Sequence, residues 1–404
     1  MTRAAPVLLP GAAVVACVAI ATALGNVDGS AVAPADGGDV AHTGAPWFLA
    51  VLAAGFAAYL VGLRALRGGG RLAPVLAVAI AVQLVPLAGP LLLSTDAWTY
   101  WGYGWIGADG GGNPYVDPPS AFPQSPAAPY VGAAWRDTTT VYGPVFTAVS
   151  EPVARIANET ATLAAWLFRG LAAVAAIAAT LLAARLARRP AQAAALVGWN
   201  PVLAVHLAGG GHNDALVGAL VLAALALSAA RRPVASGAMW AVAVLVKWVP
   251  AGLFALSVLG LRARGRPAGL GGFAAGAAVL GALATWLYGP QWLAALAPLA
   301  GNAARQTSYA LPSRLEQVGV PDAVALALAL SVFLAGAVVL GRQALAGRAR
   351  LGSAACLTLA TTPYLAVWYL GWAVPLAAAD DDDRLARVGV LALTAYLLPQ
   401  TIPL

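Results

Sequence analysis

Charge is what this chain of 404 residues has least of: Asp, Glu, Lys and Arg make up 10% of it, hydrophobic residues 61%, and mean hydropathy is +0.79. That composition cannot clothe a soluble domain in polar surface, so the chain reads as a polytopic membrane protein. Cysteine is nearly absent as well. Cys17 and Cys356 lie in separate apolar runs, which predicts no disulfide and says nothing of catalysis. No internal repeat and no coiled coil is present, and no polar stretch is long enough to fold alone. The net charge of +7 raises nucleic acid as a partner, but the basic residues sit in short clusters between apolar runs, as topology signals do. That pattern speaks for no nucleic acid.

What the sequence does have is a series of apolar runs, each roughly 17 to 25 residues and able to cross about 30 Å of hydrocarbon as helix. Lipid offers no partner to an open backbone, so the spans must be helical. Arginines punctuate them: Arg3; Arg64, Arg67 and Arg71; "RLARR" at 185–189; Arg231 and Arg232; "RARGR" at 262–266; and Arg342 to Arg350. The positive-inside rule assigns these turns to the cytoplasm. Spans are then expected near 6–24, 46–64, 73–93, 161–183, 191–208, 215–229, 269–288, 322–341, 351–366, 369–379 and 387–404. The segments 25–45, 94–160, 209–214 and 289–321 face outward. The stretch 233–261 has arginines at both ends and must cross an even number of times, so it reads as two short helices meeting near Lys247 and Pro250. The expected fold is all-α, with about 11–13 transmembrane helices in a single membrane domain over 1–404. Arg3 followed by an apolar run also describes a signal peptide, and "VVAC" at 14–17 a lipoprotein cleavage box. Apolar residues continuing to Leu24 favour an uncleaved first span.

The longest outward segment, 94–160, begins "STDAWTYWGYGW" and carries Asp96, Trp98, Tyr100, Trp101, Tyr103, Trp105, the "NPY" of Asn113 to Tyr115, Trp135, Arg136, Asp137 and the "VYGP" that contains Tyr142. An interfacial aromatic belt explains several of these rings, but not an acid placed just past a span. A carboxylate among aromatics at the water boundary suits a general base acting on sugars, whose rings stack on aromatic faces. Capping of the next helix by Asp96 or Ser94 is the plain alternative, and local chemistry leaves both open.

A second polar group, "GGGHNDA" at 209–215, holds His212, Asn213 and Asp214, which can cap a helix or hydrogen-bond a substrate. As metal ligands only His212 and Asp214 stand there, too few to expect a metal. Lys247 within "VLVKWVP" is costly in a bilayer, so it should line a cavity or meet an anion such as a lipid phosphate. Arg305 and Arg314 in 289–321 are further phosphate candidates. The acidic run "AADDDDR" at 378–384 suggests metal-bound nucleotide sugar, but its cytoplasmic side and flanking arginines favour a solvated turn.

The order of an acid after the third span, "NPY", "YGP", "WNPVLAVHLAGGGHND", "VLVKWVP" and "TTPYLAVWYLGW" at 361–372 resembles the actinobacterial polyprenol-phosphate-mannose-dependent α-1,6-mannosyltransferases, membrane glycosyltransferases of the GT-C fold. The resemblance runs from about 90 to 260, with a weaker stretch at 361–375 and a poor match in the rest of the tail after 321. It implies a plasma-membrane enzyme with its site on the extracytoplasmic face, polyprenyl phosphate mannose as donor, a glycolipid or mannan as acceptor, and no cofactor. Asp96 occupies the place of the general base. Lys247, Arg305 and Arg314 would hold the donor phosphate. Trp98, Tyr100, Tyr103, Asn113, Tyr115, Tyr142, His212, Asn213, Asp214, Trp368 and Tyr369 would bind sugar or acceptor. Other lipid-phosphate sugars, arabinose or glucose, remain open. A lipid-linked sugar flippase would need polar groups along a path open to both sides; here they gather on one face.

Overall fold

The computed structural model describes residues 5–34, 44–296 and 306–401. Its regular structure is helical: α1 Ala5–Leu24, α2 Ala45–Ala65, α3 Leu72–Leu84, α4 Asp96–Ala108, α5 Pro144–Ala157, α6 Ala161–Leu186, α7 Pro190–Gly198, α8 Pro201–Leu207, α9 Asp214–Ala229, α10 Pro233–Val246, α11 Pro250–Ala263, α12 Leu270–Tyr288, α13 Leu311–Gln317, α14 Asp322–Leu345, α15 Leu351–Thr361, α16 Leu370–Ala379 and α17 Arg384–Leu397. Four helical stretches among the described residues, Ala45–Gly68, Ala161–Leu186, Leu270–Ala295 and Asp322–Leu345, are long and apolar enough to cross a membrane. The others are shorter than the roughly 20 residues a straight crossing needs. α12 and α14 turn apolar side chains such as Val279, Trp286, Leu330 and Leu334 outward, as helices do where hydrocarbon is the solvent.

The centre is α6, α9 and α16, joined by α7. α16 is buried along Leu370 to Ala378, and α6 presents Ala165, Ala172, Ala176, Ala179 and Ala183 inward. Lipid supplies no hydrophobic drive between helices, so close packing through small residues is what holds such a centre together.

Three differences from the expected spans have local causes. The run 191–208 is broken into α7 and α8, because Pro201 has no N–H to continue the ladder and Asn200 Oδ1 accepts from Val202 N and Leu203 N at 3.1 and 3.2 Å, starting a new helix. The outward segment 94–160 is half helical: α4 and α5 pack on one another and against α6. The acidic run is a turn with Asp382 exposed, as expected, but it is not only solvated. Asp383 is fully buried and accepts from Ser353 N at 2.9 Å, Ser353 Oγ at 2.6 Å and Ala386 N at 3.2 Å, capping α17 and tying it to α15. Its neighbours Asp381 and Asp382 meet Arg387 and Arg188.

The expected pair of short helices is present: α10 and α11 meet at Lys247–Trp248–Val249, α10 packing on α9 and α12 while α11 packs on α14. At 14 residues each, or about 21 Å, neither crosses by itself. The arginine-bearing turns gather at one end of the bundle, where Arg188 reaches Asp382, Arg350 lies 3.5 Å from Asp383, and Arg264 donates to the Gly347 carbonyl. The GGGHND turn and the α10–α11 apex lie at the other end.

Candidate active site

At that other end, Asp96, Trp135, Val141, Tyr142, Lys247, Trp248, Val249, Tyr364, Trp368 and Tyr369 line a partly open cleft of about 120 Å³. Four chain segments build it, and each is fixed by a local feature of sequence.

Asp96 is the first residue of α4, and its carboxylate does not cap that helix. Its backbone N–H donates to Ser94 Oγ at 3.1 Å. The carboxylate instead points inward, where Tyr100 Oη donates to Oδ2 at 3.3 Å and Nδ1 of His212 lies 3.2 Å from the same oxygen, close but poorly aligned for a hydrogen bond. Burial opposes the charge of Asp96, but His212, Lys247 and Ser94 more than offset it and hold the carboxyl below its ordinary value. Burial, with the charges of Asp96 and Asp214, pushes the Tyr100 hydroxyl well above its ordinary value, so it remains a donor.

The GGGHND turn packs behind Asp96. Gly211 has φ +75, and a Cβ there would stand 3.2 Å from the Ala97 Cβ, so the turn approaches α4 as only glycine allows. From the other side Arg169, buried on α6, donates to the carbonyls of Ala208 at 3.2 Å, Gly89 at 2.8 Å and Pro86. One guanidinium therefore holds both the turn before His212 and the turn before Asp96. His212 is stacked on Trp368, with centroids 3.9 Å apart.

Lys247, the chain's one lysine, has a resident partner. Its Nζ lies 2.9 and 2.8 Å from Oδ1 and Oδ2 of Asp214, which also accepts from Trp372 Nε1 at 3.1 Å. The Tyr369 ring lies 4.8 Å from Nζ. The anion that sequence reasoning sought for Lys247 is thus first an internal carboxylate. The "VYGP" motif places Tyr142 beside it: Gly143 N donates to Val246 O at 3.1 Å, and a Cβ on Gly143 would come within 2.0 Å of the Leu245 carbonyl oxygen.

Of the expected site residues, Asp96, Tyr142, Lys247, Trp368 and Tyr369 line the cleft, with Tyr100, His212 and Asp214 directly behind them. Asn213 is buried among them, its side-chain amide without a partner and not used as a cap. The others are used elsewhere. Trp98 Nε1 donates to Ala161 O at 3.0 Å, Tyr103 Oη to Thr138 O at 2.7 Å, and Asn113 Nδ2 to Tyr288 O at 2.7 Å. Tyr115 Oη bonds Tyr142 O at 3.1 Å and Thr147 Oγ1 at 2.9 Å. Trp98 and Asn113 fasten the segment 94–160 to neighbouring helices, Tyr103 and Tyr115 fasten it to itself, and none of the four lines the cleft. Arg314 lies over the Tyr309 ring at 4.3 Å and bonds Tyr396, away from the cleft. Arg305 falls outside the described residues. Sequence reasoning gave no site role to Trp248 and Tyr364, although they lie within its VLVKWVP and TTPYLAVWYLGW motifs, nor to Trp372, the last residue of the second motif, and it passed over Arg169. Among the described residues no three His, Cys, Asp or Glu side chains converge as metal ligands.

Comparison with known proteins follows the same lines. Residues 7–264 match the family model described as Alpha-(1->6)-mannopyranosyltransferase, N-terminal domain, and residues 140–399 match Glycosyltransferase family 87. The second match extends through the tail after 321, where the motifs had shown little. The Alpha-(1->6)-mannopyranosyltransferase A of Corynebacterium glutamicum is 28% identical over 263 residues, 58% of this chain and 53% of that protein. The protein of the same name from Mycobacterium tuberculosis is 33% identical over 168 residues, 39% of this chain and 32% of its own length. The chain thus spans about half or less of the curated relatives it matches. No solved structure matches it.

Proposed function

The chain belongs to the alpha-(1->6)-mannopyranosyltransferase family, and from that premise we propose that it transfers a mannosyl residue from polyprenyl phosphate mannose to a mannan or glycolipid acceptor on the outer face of the plasma membrane. The observation that carries this reading is that an acid, Asp96, and the chain's lysine, Lys247, line one cleft with aromatic walls.

In this mechanism the acceptor hydroxyl gives its proton to Asp96 as its oxygen bonds to the anomeric carbon. The bond from that carbon to the phosphate oxygen breaks, and the electron pair leaves with polyprenyl phosphate. Attack opposite the leaving group inverts the centre, from a β-linked donor to an α-linked product. Phosphate needs no protonation to leave, so one carboxylate suffices where a glycosidase uses two. Trp368, Tyr369 and Tyr142 offer faces for the sugar ring. The cleft is small beside the roughly 300–1,000 Å³ of usual ligand pockets, so it suits the reacting sugar and not the lipid chain.

Charge balance shapes the phosphate site. A lysine has three donors; Asp214 accepts two of them and offsets the charge, so Lys247 alone brings an arriving phosphate little net positive charge. A further cation would stabilise the charge that grows on the leaving group. Arg305 is the better candidate, because Arg314 is committed to its tyrosines. Thr307 bonds to Pro363 O and Leu365 on either side of cleft-lining Tyr364.

The test is transfer of radiolabelled mannose from polyprenyl phosphate mannose to a short α-1,6-mannoside by the purified protein. Labelled product is expected. Transfer from an arabinose or glucose donor but not from the mannose donor would overturn the assignment.

A further inference from the structure

The arginine-bearing end holds a second cavity. Ser228, Arg231, Pro233, Leu261, Gly265, Arg266 and Pro267 line an open cavity of about 310 Å³ where α9 and α11 end and α10 begins. At this end Arg188, Arg350 and Arg387 face the acidic run and Arg264 donates to Gly347 O, while others, such as Arg64, Arg67 and Arg185, are exposed and line neither cavity. The side chains of Arg231 and Arg266 have neither an acid nor a hydrogen-bond partner among the described residues, although they share this cavity. A general inward bias of positive charge accounts for arginines in these turns. It does not account for two of them facing one pocket with no counter-ion.

Arg231 also stands where another residue would be preferred. Its φ is +59, and Arg231 N and Arg232 N return to Ser228 O and Leu227 O at 3.0 and 2.9 Å, closing the end of α9. That left-handed position favours glycine, as the corresponding turn after α11 has with Gly265 at φ +65. Keeping arginine there holds its guanidinium at the pocket. Two helix C-termini oppose an anion, each with about half a negative charge, while the N-terminus of α10 contributes about half a positive one. Two guanidiniums outweigh that balance, and the pocket is about one and a half charges positive.

We infer that this cavity binds the phosphate group of an anionic membrane lipid, gripped by Arg231 and Arg266 with the Ser228 hydroxyl as an added donor. Basic pockets between helix ends take such head groups, and guanidinium matches phosphate in a bidentate geometry. Mannosyl transfer plays no part in the inference, so it stands or falls apart from the proposed function.

The test uses the purified full chain in a neutral detergent, with phosphatidylglycerol, phosphatidylcholine or inorganic phosphate added. Phosphatidylglycerol should raise the melting temperature by several degrees and be retained in native mass spectrometry; phosphatidylcholine should do neither. Arg231→Gly keeps the left-handed turn and should melt no lower than the parent without lipid. Combined with Arg266→Gln, it should cut lipid retention by about tenfold or more. Inorganic phosphate stabilising as strongly as the lipid would support the same site with a free anion as its occupant. Equal effects of the two lipids, or undiminished retention by the double variant, would overturn the inference.

Discussion

The two ends of this bundle handle charge in opposite ways. At the cleft every charged group is buried and meets a specific partner: Asp96 with Tyr100 and His212, and Lys247 with Asp214, which Trp372 also holds. At the other end Asp383 is sealed in as a cap, but Arg188 and Asp382 pair while both are more than two-thirds exposed, and many arginines pair with nothing among the described residues. Burying a charge costs several kcal/mol unless partners are arranged around it, whereas exposed pairs are worth little. A cluster kept at that cost is a site by default in a membrane protein. The exposed end can orient the chain with charges that are loosely held.

The comparison breaks most visibly at Asp96. Asp96→Asn keeps the shape of the side chain and removes the proposed base, so mannosyl transfer should fall by about 10² to 10⁴ while the protein still inserts and binds donor. Near-normal turnover would remove Asp96 from the mechanism.

The next effect is on folding. Asp214→Asn removes the charge opposite the partly buried ammonium of Lys247, leaving it an amide oxygen and the Tyr369 ring, and should cost about 3–5 kcal/mol in thermal unfolding. Lys247→Met strands Asp214 in the same way. Replacing both should recover most of the loss. An Asp214→Asn variant as stable as the parent would show that the pair is not needed by the fold.

pH sharpens the same contrast. A carboxylate held below its ordinary value stays ionised until pH falls through that lowered value, so the base is present above it and lost beneath it. The acid limb of kcat/KM should therefore lie below about 3.9, the ordinary Asp value. His212→Gln removes one cause of the depression and should move the limb upward. A limb near pH 6 in the parent would point to another group.

The smallest effect belongs to the exposed end. Arg188→Ala breaks an ion pair that solvent already screens, and the melting temperature should be unchanged. A large drop would mean that the acidic run, anchored through buried Asp383, depends on that contact.

Much of this was legible before any coordinates. Apolar run length and arginine spacing gave the helices, the common end of the basic turns and the break at Lys247, because backbone satisfaction in lipid admits few alternatives. Asp96, the GGGHND turn and the WY pair at 368–369 were legible as site motifs by their polarity in an apolar chain. The aromatics of 98–115 were not separable that way. A tyrosine that stacks on a sugar and one that fastens a loop share the same chemistry, and only their partners distinguish Tyr142 from Tyr103.

The sequence by itself therefore determined the class of molecule, its all-helical build, the family and the acid at the head of α4, since each follows from composition or from motifs short enough to read in order. Tertiary structure alone decided that Asp96 faces His212 instead of capping its helix, and that Lys247 pairs with Asp214, 33 residues away. It also decided that Arg169 ties two turns distant in the chain. The physical reason is that a buried charge takes its partner from whichever segment packing brings within about 3 Å, and nothing in linear spacing records that choice.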